Sequence, residues 1–209
     1  VTALLPTIRF SDTPAFAADK DAISDELLNA RTSIQSEFGF ALFNRLGTNL
    51  QDRLIATEQF WLLCKDSSDA RVFACDLYAA LQATFRRSLT GALPPDVSEF
   101  EYIATAKKNA ATCGLGDLAP CLLTAKRSAI RETLQGSDQT LQSCVIAFLL
   151  VSSADMLSSI AQTHPSFISD AALVIDRRGH GNEPLPLPKD DILKLRKAAY
   201  TIIKTLQEV

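Results

Sequence analysis

Eight consecutive apolar residues, Cys144 to Val151 (CVIAFLLV), constrain this chain more than any other stretch. A helix that is apolar on every side has to be surrounded. Ser137 and Asp138 come directly after Gly136 and offer an N-cap, no Gly or Pro interrupts residues 137–163, and His164-Pro165 supplies a stop. The pattern predicts one long helix, Ser137 to Thr163, buried at the centre of an all-helical domain. A buried strand would need turn signals at its flanks, where Leu141, Cys144, Phe148, Leu157, Ile160 and Ala161 instead keep helical spacing. A membrane span needs roughly 18 or more apolar residues, and this run is far shorter.

A chain of 209 residues that is 47% hydrophobic and 22% charged can bury a core without staples and is too apolar for disorder. The formal charge of −3 gives no general attraction to nucleic acid or to an anionic membrane, although the first half is acidic and the second mildly basic. Cys64, Cys75, Cys113, Cys121 and Cys144 are odd in number and widely spaced, with no C-x-x-C pair. They read as reduced residues of a cytoplasmic protein, and neither a zinc site nor a redox pair is signalled. Ala15-Phe16-Ala17 resembles a signal-peptidase site, but Pro6, Arg9, Asp12 and Pro14 stand where an apolar run would be required.

Residues 1–18 hold two prolines and no helical period, so an extended N-terminal arm is expected. Leu4, Leu5, Ile8 and Phe10 in that arm need cover, either from their own bundle or from a neighbouring chain. A helical body is expected over 19–176. Its segments start near residues 20, 49, 68, 98, 118, 138 and 166, and a last one starts near 190. Gly39 divides the first segment, and Phe73, Leu77, Leu81 and Phe85 mark the third by their spacing of four. Thr48-Asn49, Ser67-Ser68, Asp96 or Ser98, and Asp117 are the expected caps. Residues 177–188 form a proline-rich extended connection, and 189–209 an amphipathic helix capped by Asp190 or Asp191. Ile192, Leu195, Ala199, Ile202, Leu206 and Val209 make its apolar seam, which docks on the body or on a partner, with Lys194, Arg196, Lys197 and Lys204 off the seam.

The arrangements that carry catalysis are sparse. Only two histidines occur. His164 precedes a proline at a helix end and reads as a cap. His180, between Gly179 and Gly181 and after Arg177 and Arg178, is the one histidine placed where a loop could hold an anion. Nucleotide-binding and nucleophile-elbow glycine motifs are missing. The paired carboxylates Asp66/Asp69, Glu99/Glu101 and Asp190/Asp191 each sit at a helix start, where the dipole favours them, and Arg86 and Arg87 suit a helix end for the same reason. Lys126, Arg127, Arg131, Arg177, Arg178 and His180 are the candidates for anion or nucleic-acid contact, without interleaved aromatics.

These observations predict an all-α, single-domain bundle or short stack of about eight helices, acting as a non-enzymatic protein-protein interaction module or structural subunit without a cofactor or metal. Partner or self-association is expected through Leu4, Leu5, Ile8, Phe10, Ile192, Leu195, Ile202 and Leu206. Two alternatives stay open: an RNA-binding nucleoprotein or coat-type protein, and a helical enzyme or apolar-ligand carrier with a site near the His180 loop.

Overall fold

The computed structural model describes the backbone of residues 14–64, 70–89, 91–137, 139–178 and 186–209, with side chains from residue 25 onward except 63 and 64. Among these residues every regular element is helical. In chain order they are α1 (Pro14–Phe38), α2 (Phe40–Arg45), α3 (Thr48–Cys64), α4 (Arg71–Arg87), a 3-10 turn (Glu99–Glu101) and α5 (Tyr102–Thr112). Next come α6 (Pro120–Leu123), α7 (Arg127–Leu134), α8 (Leu141–Val151), α9 (Ala154–Thr163), α10 (Phe167–Arg177) and α11 (Lys189–Glu208). The expected all-α bundle around a buried central helix is what the chain forms.

That central helix is α8, which packs against α4, α5, α6, α7 and α10. Leu141 and every residue from Ser143 to Leu150 are buried, which leaves only Gln142 and Val151 partly reached by solvent. Each of its fully buried Val, Ile, Leu and Phe side chains contributes about 1.5–3 kcal/mol of transfer free energy, before the entropy of ordering is counted. Phe148 meets Phe85 of α4 edge-on at 5.5 Å and lies 6.2 Å from Phe167 of α10, and Phe85 and Phe167 are 5.7 Å apart. Three helices thus share one aromatic cluster.

The octet does not continue as one helix to Thr163. The axis turns by 119° between α8 and α9. Ser152 is extended at ψ 143°, and the Ser153 hydroxyl accepts the Met156 N–H at 3.2 Å. Two serines that periodicity placed inside a helix therefore end one and cap the next, using a side-chain acceptor that competes with the helical backbone.

The start of α8 differs as well. Gly136, at φ 91°, closes α7 in a Schellman turn in which Ser137 N–H reaches Glu132 O at 2.9 Å and Gly136 N–H reaches Thr133 O at 3.0 Å. Ser137 is thereby committed to the helix before, Asp138 lies outside the described residues, and Thr140 is the cap. Side chains of α4 complete this end. Tyr78, Gln82 and Arg86, one turn apart, contact the backbone of the α7–α8 loop. The Tyr78 hydroxyl accepts the Leu141 N–H at 2.7 Å, Gln82 donates to Gln139 O, and Arg86 donates to Gly136 O.

Other boundaries obey local chemistry. Gly39, at φ 74°, separates α1 from α2 as expected. Ser98 and Glu101 form a capping box ahead of α5. The segment expected over 118–136 is two helices, with Ala119 and not Asp117 before α6 and Pro120 in the first turn, where its missing N–H costs least. Ser67 and Ser68 lie outside the described residues. The α4 helix starts behind Ala70, and α11 starts at Lys189 behind Pro188, with Asp190 and Asp191 inside its first turn.

One boundary is corrected, and the choice left open for the last helix is decided. Residues 14–18 are not part of an extended arm, because α1 begins at Pro14, a residue suited to a first helical turn. Leu4, Leu5, Ile8 and Phe10 fall outside the described residues. The seam of α11 docks on the body, the first of its two expected arrangements, and so is not open to a partner. Ile192, Leu195, Ile202 and Leu206 are buried against α4 and α10 of the same chain. Arg196 and Lys204, off the seam as expected, pair with carboxylates of other helices.

Candidate functional site

Charge inside the bundle is concentrated where α11 crosses α1 and α3. Glu58 is fully buried. It accepts hydrogen bonds from Arg196 Nε at 3.0 Å and Nη2 at 2.8 Å, from Tyr200 Oη at 2.9 Å and from Ser33 Oγ at 2.5 Å. Arg196 Nη1 also reaches Glu37 at 3.1 Å, and Lys204 pairs with the same carboxylate at 2.6 Å. The Arg196 guanidinium lies over the rings of Tyr200 and Trp61. Burial and the Glu58 charge push the Tyr200 phenol well above its ordinary range, so it stays a donor. Four donors converge on the Glu58 carboxylate from within the chain, so the group is a structural clamp.

His164, read from sequence as a cap, is buried at the α9–α10 junction. Its Nε2 is 2.7 Å from Asp170 Oδ2 and its Nδ1 3.2 Å from Thr205 Oγ1 of α11, and Ser166 Oγ donates to Asp170 at 2.8 Å. An acid–histidine–hydroxyl chain resembles a nucleophile relay in its order of atoms. Thr205 is itself buried and its hydroxyl also reaches Thr201 O at 2.9 Å, so both ring nitrogens are tied to interior partners. The set ties α10 to α11. A cleft of about 350 Å³ beside it is lined by Lys194 and Lys197.

The predicted basic residues occupy two settings instead of one groove. Arg127 stands 4.6 Å over the ring of Phe100, and Arg131 pairs with Glu99 at 3.2 Å, so both are held against the 3-10 turn, with exposed Lys126 at the head of α7. Arg178 stands 4.5 Å over Tyr78 of α4, and Arg177 ends α10. His180 is outside the described residues. Phe100 is 78% exposed, which makes it the most open large apolar side chain among the described residues. The aromatic missing from the linear pattern is therefore supplied by another helix.

A further cleft, of about 450 Å³, lies where the start of α3 meets the end of α4, lined by Asn49, Leu50, Arg53, Ala83, Arg86 and Arg87. Arg53 Nε is buried without a hydrogen-bond partner. The Arg87 guanidinium lies on the α2–α3 turn, where a Cβ on Gly47 would come within 2.9 Å of it. Sequence reasoning assigned Arg86 and Arg87 to the helix dipole alone. Arg53 went unseen and Asn49 was read only as a helix cap, because only the packing of α3 on α4 brings them there.

Among the described residues no three His, Cys, Asp or Glu side chains gather to hold a metal ion. No single described helix is long and apolar enough to cross a membrane. No family model, curated protein or solved structure matches the chain.

Proposed function

We propose that this chain is a non-enzymatic helical interaction module, the subunit of a larger assembly of its own copies, and that it docks through the ledge formed by Phe100, Arg127 and Arg131. The observation that carries this reading is the exposed Phe100 ring with the Arg127 guanidinium stacked on it. An aromatic side chain left in water gives up the transfer free energy that burial would recover, and an aromatic–arginine pair is the composition that dominates contact energies in protein interfaces. Leu123, also exposed, ends the helix just before Arg127. Lys126, Arg127 and Arg131 make the ledge basic, which suits the acidic first half of a second copy. The arm residues Leu4, Leu5, Ile8 and Phe10 belong to the proposal as a second contact. The thiols of Cys75, Cys113 and Cys121, which form no disulfide, favour a reducing, cytoplasmic setting.

Light scattering across a concentration series tests the reading. The native chain is expected above monomer mass, with Phe100→Ala and Arg127→Glu each shifting it toward monomer while helical circular dichroism is retained. A native chain that stays monomeric, or variants that leave the mass unchanged, would refute it. The same ledge supports a second reading, because a nucleobase can stack on an exposed Phe flanked by cations. Salt-sensitive retention of single-stranded RNA that is lost in Phe100→Ala, with a monomeric native chain, is the outcome that reading requires.

A further inference from the structure

Residues 25–29 of α1 (DELLN) are all exposed, and Ala30 after them is buried. Five residues make more than one full turn, so no side of the helix is covered over this stretch. Two of the five are leucines, Leu27 at 48% and Leu28 at 61% exposure. Leu27 lies one and two turns before the buried Ala30 and Ile34, so the stripe by which α1 packs on α3 runs on into solvent at Leu27. The backbone stays helical from there back to Pro14. A length of helix without a packed face is marginal in water, since most helical stability in a protein comes from tertiary contact.

The charges of this stretch are mostly of one sign. Residues 19–26 hold Asp19, Asp21, Asp25 and Glu26 against Lys20. Asp25 and Glu26 are exposed and form no ion pair among the described residues. The Phe100 ledge has the opposite sign. Glu99 takes up Arg131 and the capping box holds Glu101, but neither Lys126 nor Arg127 has a carboxylate partner among the described residues. Arg127 instead lies on the Phe100 ring. An acidic helix bearing two open leucines thus matches a basic ledge bearing an open aromatic ring, in charge and in apolar surface together. Phe100 is 78% and Leu28 61% exposed in the same chain, so neither covers the other within one copy.

We propose that the partner seated on the Phe100 ledge is the 25–28 segment of α1 from a second copy, its leucines against Phe100 and its carboxylates toward Lys126 and Arg127. This rests on the assembly reading of the ledge and names the surface that meets it. The two surfaces differ, so reciprocal exchange between two copies gives a two-fold dimer, and one-way exchange gives a ring or a filament.

Light scattering of full-chain variants, alone and mixed, tests it, with circular dichroism as the check on folding. Leu28→Asp, and Asp25→Lys combined with Glu26→Lys, alter exposed positions and should leave the helical signal intact. Both should shift the native assembly toward monomer. The charge reversal sets like charges against the ledge and should raise the dissociation constant about tenfold or more, an effect that fades at high salt. Leu28→Asp keeps the ledge and Phe100→Ala keeps the α1 surface, so an equimolar mixture should form a complex of one chain of each that neither forms alone. A mixture that stays monomeric overturns the proposal. So does an unchanged mass for both α1 variants, and if Phe100→Ala is then monomeric the ledge reading stands without this partner. A native chain that is itself monomeric removes both.

Discussion

Replacing Arg196 with Met tests how α11 is held. The Arg196 side chain is 11% exposed and Glu58 is 0% exposed, and three of Arg196's hydrogen bonds go to Glu58 and Glu37. Met fills much of the same volume between Trp61 and Tyr200 but leaves the Glu58 carboxylate buried with only the hydroxyls of Ser33 and Tyr200. Removing one partner of a buried ion pair costs about 3–5 kcal/mol, because the other charge is left uncompensated. For a chain of this size that corresponds to roughly 6–20 °C in Tm. The pair itself, weighed against an apolar replacement, is worth far less, so Glu58→Gln combined with Arg196→Met should recover most of the loss. Urea denaturation of the wild type, both single variants and the double variant closes this cycle. A single Arg196→Met loss below about 1 kcal/mol, in the range of an exposed pair, would refute the clamp. Additive losses in the double variant would refute the coupling.

Local geometry makes three shorter predictions. Ser153→Ala removes the side-chain acceptor at the α8–α9 bend and should cost about 1 kcal/mol in urea denaturation, and a neutral result would show that the bend does not depend on the cap. Burial alone would raise the Asp170 carboxyl, but hydrogen bonds from His164 and Ser166, with the charges of His164 and Lys197, outweigh it and hold the group below its ordinary 3.8. A depressed carboxyl stabilises above its unfolded value and loses that contribution as pH falls through the folded one. The stability gap between the wild type and Asp170→Asn should therefore be full at about pH 6 and shrink below 3.8, and a gap independent of pH would contradict this. Burial, with the neighbouring Asp176 charge, pushes the Cys121 thiol up to about 11, whereas Cys75 is exposed. Alkylation at mildly alkaline pH, mapped by mass spectrometry, should mark Cys75 well before Cys121, and the reverse order would be inconsistent with these environments.

The sequence carried information of two kinds with different reach. Apolar spacing is set by burial, so Phe73, Leu77, Leu81 and Phe85, the octet, and the seam of α11 from Ile192 to Leu206 were each legible and are each in the core. Glycine-directed ends were legible at Gly39 and Gly136, where a positive φ disfavours other residues. Serine was ambiguous. Ser152 and Ser153 are acceptable inside a helix and also able to end one, and tertiary packing chose the second. The clamp on Glu58 was illegible because Glu58 and Arg196 are 138 positions apart on α3 and α11, and only Arg196's loss of solvent distinguishes it from a surface cation. The ledge was half legible. Lys126, Arg127 and Arg131 stood out as a basic cluster, but Phe100 joins them through the contact of the 3-10 turn with α7. The arginine cleft required the pairing of α3 with α4, and no local pattern encodes that pairing.

All of these placements depend on α8 being enclosed by its neighbours. Native-state amide hydrogen exchange measures that enclosure directly. The account predicts that the amides from Val145 to Leu150 are the slowest in the chain and exchange only through global unfolding, with an opening free energy equal to that from denaturant. Exchange of those amides at a clearly smaller free energy, comparable with that of the short helix α7, would contradict it.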